Sequence, residues 1–411
     1  MRMLVLSDYW GELGGGEVVA AELARGLSTQ FELAILTTDR EREFVERRDG
    51  LPVYRVRSDY PVRLRPLVAL ANPLVLASIG RVLDDFWPDV VHAWNVHQHL
   101  SYASLRLARC RGLPTVLTFQ DAQPFCYTKY HCYIDRAAPC PVRPDYRARP
   151  QSCPSCWRHY WLFPPRNRAV RELIRRYVGR RVAVSHALAQ ALTDNGLGGA
   201  QVIHNGLALD AFPPETSRID SISNRFGLEQ DVVVGGGRMG FFKGQHLLLA
   251  AFAQVVPERS SAQLALAGSH DGPYGRQLDQ QARQLGVSDR VVFTGFLPRH
   301  EFLALIGAGA LLANLSICLD CFPTVNLEAG AAARAVLGTC FGGTPEAVLD
   351  GETGRVVNPH RVGEVAQALR DLLANAPERE EMGRRAAERV RSLFSVCAMV
   401  EAYATLFRSL K

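Results

Sequence analysis

Two basic residues follow a glycine-rich segment in the second half of the chain. In DVVVGGGRMGFFKG, three glycines end an apolar run, and Arg238 and Lys243 come before a helical pattern. Small residues let a ligand approach the backbone, and two cations this close in sequence can grip a diphosphate. The pattern indicates a phosphate site at Arg238 and Lys243, although a glycine-rich strand end also forms a plain tight turn.

A second set of polar residues lies in ICLDCFPTVNLEAGAAARAVLGTCFGGTPEAV. Asp320 and Glu328 are eight residues apart, and Phe322 and Pro323 between them open what we predict to be a helix. The N–H groups at a helix start favour a negative pyrophosphate, and Glu328, one turn in, could accept hydrogen bonds from ribose hydroxyls. In isolation, a helix with two surface acids would give the same pattern.

A cysteine cluster lies in the first half of the chain, between positions 126 and 156. Its C-x2-C ending has the spacing that brings two thiolates to one tetrahedral zinc ion. The segment is rich in Pro and Arg and poor in aliphatic residues, so a metal would order it. We therefore predict a structural zinc site, with free or redox-active thiols or an iron–sulfur cluster as alternatives. The predicted ligands are Cys126, Cys140, Cys153 and Cys156, with His131 and Cys132 as spare ligands.

The elements that position these residues alternate between buried strands and helices. MLVLS, FELAILTTD, DVVHAW, PTVLTF and RVAVSHA predict strands of a first parallel sheet. After a polar stretch, DVVVGGGR, AQLALAG, RVVFTGF, ALLANLS and ARAVLGTCFGG predict a second sheet. We expect an α/β protein of two Rossmann-like, doubly wound parallel-sheet domains facing a cleft, with ligands at the carboxyl ends of the strands.

Length and charge agree with two domains of a globular protein. The chain has 411 residues, of which 47% are hydrophobic and 21% charged. Its first 205 residues carry 27 Lys and Arg against 19 Asp and Glu, which fits an anionic membrane surface or a phosphorylated acceptor as well as an ordinary solvated surface. No apolar run reaches the roughly 18 residues of a transmembrane helix, and the N-terminus is typical of a first strand. We expect a cytoplasmic protein.

These motifs together resemble the family 4 glycosyltransferases, which have the GT-B fold. The resemblance rests on the Gly-Arg and Lys-Gly elements, the paired acids and the Gly-Gly-x-Pro-Glu turn. It extends to GGGE (14–17), VSHALAQAL (184–192), HNGL (204–207), LALAG (264–268) and TGFLP (294–298). It implies an acceptor-side domain over 1–204 with a Cys-rich insert at 122–161, and a donor-binding domain over 205–390. A C-terminal helix in 391–411 would pack back on the first domain.

The resemblance also implies a role for individual residues. Arg238 and Lys243 would hold the donor diphosphate and neutralise the charge that develops on the leaving nucleotide. Glu328 would bind the ribose, and Asp320 would lie near the donor sugar. The remaining residues implied for donor binding are Gly14, Gly15, Gly16, Gly237, Thr324 and Val325. Transfer would retain the anomeric configuration, without an organic cofactor.

The sequence departs from the family at several of these positions. Asp320 stands where the family usually has Glu, and Pro323 replaces a common glycine. After the strand PTVLTF, Gln120 and Asp121 stand where the family has His-Asp. Gln can donate a hydrogen bond but cannot carry a proton, so an acid–base role at Gln120 is in doubt. His97, just past another strand, is a second candidate to face the cleft, or else a hydrogen-bonded loop residue.

The leading hypothesis is a retaining glycosyltransferase that moves a sugar from a nucleotide diphosphate to a hydroxyl of a glycan or lipid-linked acceptor. The expected partners are that donor, that acceptor and a weak peripheral contact of the basic half with the inner face of the membrane. The main alternative is a nucleotide-sugar-binding or scaffold protein that has lost catalysis. A nucleotide-sugar epimerase is disfavoured by the Gly-Arg and Lys-Gly elements. Nucleic-acid binding lacks a recognised motif.

Overall fold

The computed structural model describes residues 1–11, 14–130, 140, 145–229 and 231–410. Its internal contacts divide the chain into two compact units. Unit 1 contains residues 1–133, 146–206 and 396–411, and unit 2 contains residues 134–145 and 207–395. The sequence-based boundary at 204 lies next to this division, and the described residues Cys140 and Asp145 of the predicted insert group with unit 2.

Unit 1 is built on one sheet whose strands are parallel except at one edge. The strands are β1 (Arg2–Leu6), β2 (Glu32–Asp39), β3 (Phe44–Arg48), β4 (Leu51–Arg57), β5 (Val90–Ala93), β6 (Thr115–Phe119), β7 (Arg180–Ala183) and β8 (Gln201–Val202). Their order is β3-β4-β2-β1-β5-β6-β7-β8, and β3 pairs antiparallel with β4. The strand order therefore reverses direction between β1 and β5, which is where a doubly wound sheet opens a crevice.

The helices of unit 1 include the C-terminal segment of the chain. They are α1 (Gly15–Leu27), α2 (Arg65–Val68), α3 (Pro73–Phe86), α4 (Ala103–Cys110), α5 (Trp157–Leu162), α6 (Arg166–Tyr177), α7 (His186–Asp194) and, at the far end of the chain, α16 (Val396–Arg408). Leu23 and Leu27 of α1 share one buried cluster with Tyr403 and Phe407 of α16 and with residues of β1 and β2. The last helix thus completes the core of the first sheet.

Unit 2 has an all-parallel sheet. Its strands are β9 (Val232–Gly235), β10 (Gln263–Ala267), β11 (Val291–Gly295), β12 (Leu311–Asn314), β13 (Ala335–Thr339) and β14 (Gly354–Val357). They lie in the order β11-β10-β9-β12-β13-β14, so the reversal of strand order falls between β9 and β12. Its helices are α8 (Thr216–Phe226), α9 (Gln245–Ala253), α10 (Pro273–Gln284), α11 (Arg299–Ala308), α12 (Thr324–Ala331), α13 (Thr344–Ala347), α14 (Val362–Ala374) and α15 (Ala376–Leu393).

The central strands explain why these sheets form. Every residue of β9, β12 and β13 is buried, as expected for parallel strands covered by helices on both faces. Leu248, Leu249 and Phe252 of α9 lie in the same buried cluster as residues of β9, β10 and β12. The predicted fold class of two Rossmann-like α/β domains is confirmed.

In the part of the chain that the structure describes, no single helix has the length and apolarity to cross a bilayer. A bent helical pair, Val62–Val68 with Pro73–Phe86, passes the same test by length and composition alone.

Candidate functional site

The candidate phosphate site of unit 2 lies at the strand-order reversal. Arg238 follows β9 and is exposed, after Gly237 with a φ of +107°. Lys243 ends a short helical turn and is followed by Gly244 with a φ of +72°. A side chain at Gly244 would come closer than 3.0 Å to the carbonyl oxygen of Leu315, beyond β12. Glycine therefore lets the segment after β9 lie directly on the segment after β12.

This close approach brings Lys243 to Asp320. The Lys243 Nζ lies 2.5 Å from Asp320 Oδ2, and both side chains are partly buried. The Ser316 hydroxyl donates to the same carboxylate oxygen at 2.8 Å. The predicted diphosphate-binding cation and the shortened first acid of the pair thus form one ion pair, although they lie far apart in sequence.

A buried polar network continues from this ion pair. The Ser316 Oγ is 3.1 Å from Asn314 Oδ1, and Asn314 donates to Asn326 at 3.0 Å. Asn326 in turn donates to the Thr344 hydroxyl at 3.2 Å. These four side chains are buried and hydrogen-bonded to each other, so they join the loops that follow β12 and β13. Sequence reasoning missed them because nothing local distinguishes a network Asn from a turn Asn.

The Gly-Gly-x-Pro-Glu turn packs against the Asp320 loop. The Gly343 N–H donates to the Asp320 carbonyl oxygen at 2.9 Å. Gly342 has a φ of +65°, and a side chain there would meet the backbone of Asp320 closer than 3.0 Å. These glycines allow the turn to support the loop that carries Asp320.

Glu328 lies in α12 with its side chain almost fully buried. Its Oε1 is 2.6 Å from Arg299 Nη1, and its side chain is 6% exposed. Burial raises the pKa of Glu328, and the Arg299 guanidinium opposes that shift. Thr324 and Val325, also predicted to bind the donor, form the first turn of α12 and are half-buried. Arg299 was missed by sequence reasoning, since its partner is set by the packing of α11 beside α12.

The glycine loop of unit 1 opens α1. Gly14 caps the helix, and Gly15 and Gly16 form its first turn, with the Gly16 carbonyl accepting from Trp94 Nε1 at 3.0 Å. Residues 12 and 13 of this loop lie outside the described chain. The three glycines thus follow β1 at the strand-order reversal of the first sheet.

His97, Gln120 and Asp121 meet in unit 1. They line one small cavity together with Trp94 and Tyr102. His97 Nε2 lies 3.4 Å from Asp121 Oδ2, but among the described residues no group is aligned to hydrogen-bond with that nitrogen. Burial lowers the pKa of His97 to about 4, against the opposing effect of Asp121. His97 is therefore neutral near pH 7.

Gln120 is held by a reciprocal amide pair. Its Nε2 donates to Asn205 Oδ1 at 3.1 Å, and Asn205 Nδ2 donates back to Gln120 Oε1 at 3.2 Å. Both interactions use neutral amide groups, so the Gln120 side chain cannot transfer a proton as an acid or a base. Asn205 belongs to the HNGL motif, which the structure thus connects to the end of β6.

The loop that carries His97 is anchored by Asp8, which sequence reasoning missed. Asp8 is fully buried just after β1 and accepts from the backbone N–H groups of Gln98, His99 and Leu100 at 2.6, 2.9 and 2.7 Å. Burial raises the pKa of Asp8 to about 7, although the three N–H groups lower it. The signal available in the sequence was an acidic residue directly after an apolar strand, where a buried carboxylate needs hydrogen-bond donors.

The structure brings two of the four predicted metal ligands, Cys126 and Cys156, into contact. Cys126, Cys153 and Cys156 are buried, and the sulfurs of Cys126 and Cys156 lie 3.6 Å apart. Cys140 lies instead beside Cys340, in unit 2. The spare ligands His131 and Cys132 lie outside the described residues.

Family models match both halves of the chain. Residues 13–211 match the model described as "Glycosyltransferase Family 4", and residues 218–389 match "Glycosyl transferases group 1". The second range contains Arg238, Lys243, Asp320 and Glu328.

Curated relatives and solved structures agree with these matches. The chain is 33% identical over 185 residues to a GDP-mannose-dependent alpha-(1-6)-phosphatidylinositol monomannoside mannosyltransferase of Mycolicibacterium smegmatis, over 43% of this chain and 48% of the relative. It is 31% identical over 196 residues to a D-inositol 3-phosphate glycosyltransferase of Corynebacterium aurimucosum, over 46% of each. The chain thus spans about half the length of the curated relatives it matches.

Two solved structures share the fold across the whole chain. Anabaena HepE in complex with UDP-glucose has a TM-score of 0.74 and 20% identity, with 100% of both chains covered. Sucrose-phosphate synthase from Thermosynechococcus elongatus has a TM-score of 0.76 and 19% identity, with 100% of this chain and 98% of that chain covered. At these identities the likeness concerns the fold.

Proposed function

Because this chain belongs to the family 4 glycosyltransferases, with the GT-B fold, we propose that it is a retaining glycosyltransferase. It moves a hexose from a nucleotide-diphosphate sugar to a hydroxyl of a glycan or lipid-linked acceptor. The observation that carries the proposal is the Lys243–Asp320 ion pair at 2.5 Å, at the strand-order reversal of unit 2. Ligands of doubly wound sheets bind at this position.

The charges of this site suit a diphosphate leaving group. Lys243 and the exposed Arg238 supply two cations after β9. A fixed cation near the leaving phosphate stabilises the charge that develops in the transition state. Asp320, held by Lys243 and Ser316, offers a carboxylate oxygen to a donor-sugar hydroxyl.

Glu328 is the proposed ribose ligand. Its partner Arg299 favours the ionised carboxylate, which accepts hydrogen bonds from two neighbouring hydroxyls more strongly than the protonated acid. The proposal assigns no carboxylate as a covalent nucleophile. Retention then relies on holding the acceptor hydroxyl on the face from which the diphosphate leaves, so that positioning and leaving-group stabilisation supply the rate.

The acceptor and cellular location are inferred from unit 1 and the relatives. One relative's name gives a phosphatidylinositol monomannoside substrate, and another's gives inositol 3-phosphate. A hydroxyl of a lipid-linked glycan fits the first name, whereas inositol 3-phosphate is a phosphorylated polyol. The excess of Arg in the first half of the chain suits a negatively charged acceptor of either kind. We place the protein in the cytoplasm, in weak peripheral contact with the inner face of the membrane.

A surface segment of unit 1 supports that membrane contact. Arg63 and Arg65 lie near four exposed apolar side chains of residues 62–74, a mixture that suits an anionic interface. The exposed apolar residues are Val62 at 77%, Leu64 at 39%, Leu67 at 44% and Leu74 at 54%. The basic helix α6 supports the membrane contact less well, because Arg171 and Arg175 donate hydrogen bonds to the carbonyl oxygens of Asn195 and Gly196 within the protein.

The alternative function is nucleotide-sugar binding without turnover. The neutral Gln120–Asn205 pair and the depressed pKa of His97 favour it, because neither position exchanges protons near pH 7. A reaction that depends on positioning and leaving-group stabilisation needs no proton carrier there, and for that reason we prefer the enzyme.

Calorimetric titration with UDP, GDP and ADP, followed by the corresponding nucleotide sugars, tests the donor site. We expect one nucleoside diphosphate to bind, and Arg238→Ala to weaken that binding. Arg283→Ala is the matched control, since it removes an Arg that is 72% exposed on α10 of the same unit. Failure of all three nucleotides to bind would overturn the proposal.

Turnover separates the two candidate functions. Slow hydrolysis of the bound sugar nucleotide without acceptor, and transfer to a pool of glycans or lipid-linked sugars, is expected of the enzyme. Tight donor binding with neither hydrolysis nor transfer supports the alternative. The stereochemistry of the product, read by NMR of the new anomeric carbon, tests retention directly.

A further inference from the structure

A cavity of about 410 Å³ lies in unit 2 at the amino ends of the central strands. Its lining includes Asp231, Ala310 and Arg334, which immediately precede β9, β12 and β13. The predicted donor residues follow these strands at their carboxyl ends, so the four residues of β9, at about 3.3 Å each, separate the two places by roughly 13 Å. We call this space the amino-end cavity, and its size is that of a small-molecule site.

Three arginines line the amino-end cavity, and two of them have no ion-pair partner among the described residues. The paired one is Arg259, whose Nε lies 2.8 Å from Asp231 Oδ2. The other two are Arg334 and Arg379, which are half-buried. Burial lowers the pKa of both, an effect that nearby Glu380 opposes only in part. An anion in direct contact with these two guanidinium groups would offset the cost of burying them.

Backbone carbonyls hold these two guanidinium groups in place and leave other N–H groups available. Arg334 Nη2 donates to the Gly307 carbonyl oxygen, and its buried Nε has no hydrogen-bond partner among the described residues. Arg379 Nη1 donates to the Leu372 carbonyl oxygen at 2.7 Å. Since a guanidinium carries five N–H groups, each arginine keeps donors for the oxygens that a phosphate group presents.

Two carboxylates give the lining a second kind of chemistry. Glu229 and Glu380 belong to the cavity wall and are exposed, and neither forms an ion pair with another described residue. A carboxylate repels a bare phosphate ion, but it accepts hydrogen bonds from hydroxyl groups. The lining therefore fits a ligand that carries both a phosphate group and several hydroxyls.

We propose that the amino-end cavity binds a phosphorylated sugar at a site separate from the donor site. Arg334 and Arg379 hold the phosphate group, and Glu229 and Glu380 accept hydrogen bonds from the sugar hydroxyls. Ala376, the first residue of α15, also lines the cavity, so the positive end of that helix favours the same anion. This site goes beyond the proposed function, because the donor residues lie at the opposite edge of the sheet.

Calorimetric titration with glucose 6-phosphate tests the site. The wild type should bind this probe, and Arg379→Gln should bind it at least about 10-fold more weakly, because the variant lacks a charge-assisted hydrogen bond to the phosphate. Arg384→Gln is the matched control, since Arg384 lies on the same helix, is 60% exposed and is outside the cavity lining. Equal binding by the two variants would overturn the proposal.

Two further probes show which groups of the ligand are recognised. Glucose should not bind, and inorganic phosphate should bind more weakly than glucose 6-phosphate, because phosphate offers no hydroxyls of a sugar to Glu229 and Glu380. Equal affinities for inorganic phosphate and glucose 6-phosphate would refute recognition of the sugar.

The donor site is excluded by a variant that lacks its two cations. Arg238→Ala/Lys243→Ala should bind glucose 6-phosphate like the wild type, and loss of binding there would place the probe in the donor site and contradict the proposal. Binding is measured without nucleotide and without turnover, so this proposal and the proposed function fail separately.

Hydrogen exchange of the wild type keeps the test independent of variant folding. Glucose 6-phosphate should slow amide exchange in residues 308–310 and 374–380, which contain cavity-lining residues, and should leave residues 237–244 unchanged. Slowing confined to residues 237–244, or no slowing in any of these ranges, would overturn the site.

Discussion

Replacing Gly342 with alanine tests how the donor loops support each other. Gly342 has a φ of +65°, and an added methyl group would meet the backbone of Asp320 closer than 3.0 Å. Gly351, in the same unit, has a φ of +76° with nothing within 4 Å of the added methyl. Gly351→Ala is therefore a matched control that carries the conformational cost of alanine without the steric one.

The expected loss in free energy of unfolding has two contributions, the backbone conformation and the steric clash. Alanine in the left-handed region costs about 1–2 kcal/mol, which both variants incur. The clash at residue 342 forces a backbone shift, which adds about 1–3 kcal/mol. Since unit 2 is in the size range where 1 kcal/mol lowers the melting temperature by about 2–4 °C, Gly342→Ala should melt several degrees below Gly351→Ala.

Nucleotide affinity provides the second measurement. Moving the turn that contacts Asp320 should displace Asp320, which is the ion-pair partner of Lys243. Calorimetry should therefore show weaker binding of the nucleoside diphosphate to Gly342→Ala. Gly351→Ala should bind like the wild type. Equal melting temperatures and equal affinities for the two variants would refute the proposed close approach of the turn and the Asp320 loop.

Three further substitutions address single interactions. Lys243→Ala should weaken nucleoside diphosphate binding by about 10- to 100-fold, because a charge-assisted hydrogen bond contributes about 1.5–3 kcal/mol. Binding of the nucleoside alone, measured by the same titration, should not change. Asp8→Asn places an amide N–H against the Gln98 N–H. Burial raises the pKa of Asp8 from 3.8 to about 7, so protonated Asp8 stabilises the fold fully below pH 3.8, and this stabilisation is lost as pH rises through 7. In the Asn variant, the free energy of unfolding measured with denaturant should lose this dependence on pH between 5 and 8. The same pH dependence in the variant and the wild type would contradict the burial argument. Arg299→Ala removes the cation that opposes the raised pKa of Glu328, so nucleotide affinity should fall more steeply toward acidic pH than in the wild type, with Arg299→Lys restoring most of it.

The buried strands could be predicted because their signal is local. A strand covered on both faces needs a nearly continuous apolar run, and VVVG of β9 and LLAN of β12 are buried throughout. The edge strand β3 was missed, since FVERR alternates exposed and half-buried residues. Asp49 and Gly50 between β3 and β4, both with positive φ, were an available hairpin signal.

The candidate site was predicted in its residue types and only partly in its contacts. The positions of Lys243, Asp320 and Glu328 followed from motif spacing. Their partners did not, because the Lys243–Asp320 and Arg299–Glu328 pairs depend on which strands and helices become neighbours. Cys140 shows the same limit: proximity in sequence grouped it with the other cysteines, whereas the structure places it beside Cys340.

By itself, the sequence determined the alternation of strands and helices, the family resemblance and the residues that carry charge after β9 and β12. These features are encoded by neighbouring residues, through hydrophobic periodicity and glycine placement. Only the tertiary structure decided that Asp8 anchors the loop of His97, that Gln120 pairs with Asn205, and which cysteines meet. The physical reason is that a polar group at a strand end finds its partner through strand order, and strand order is set by long-range pairing.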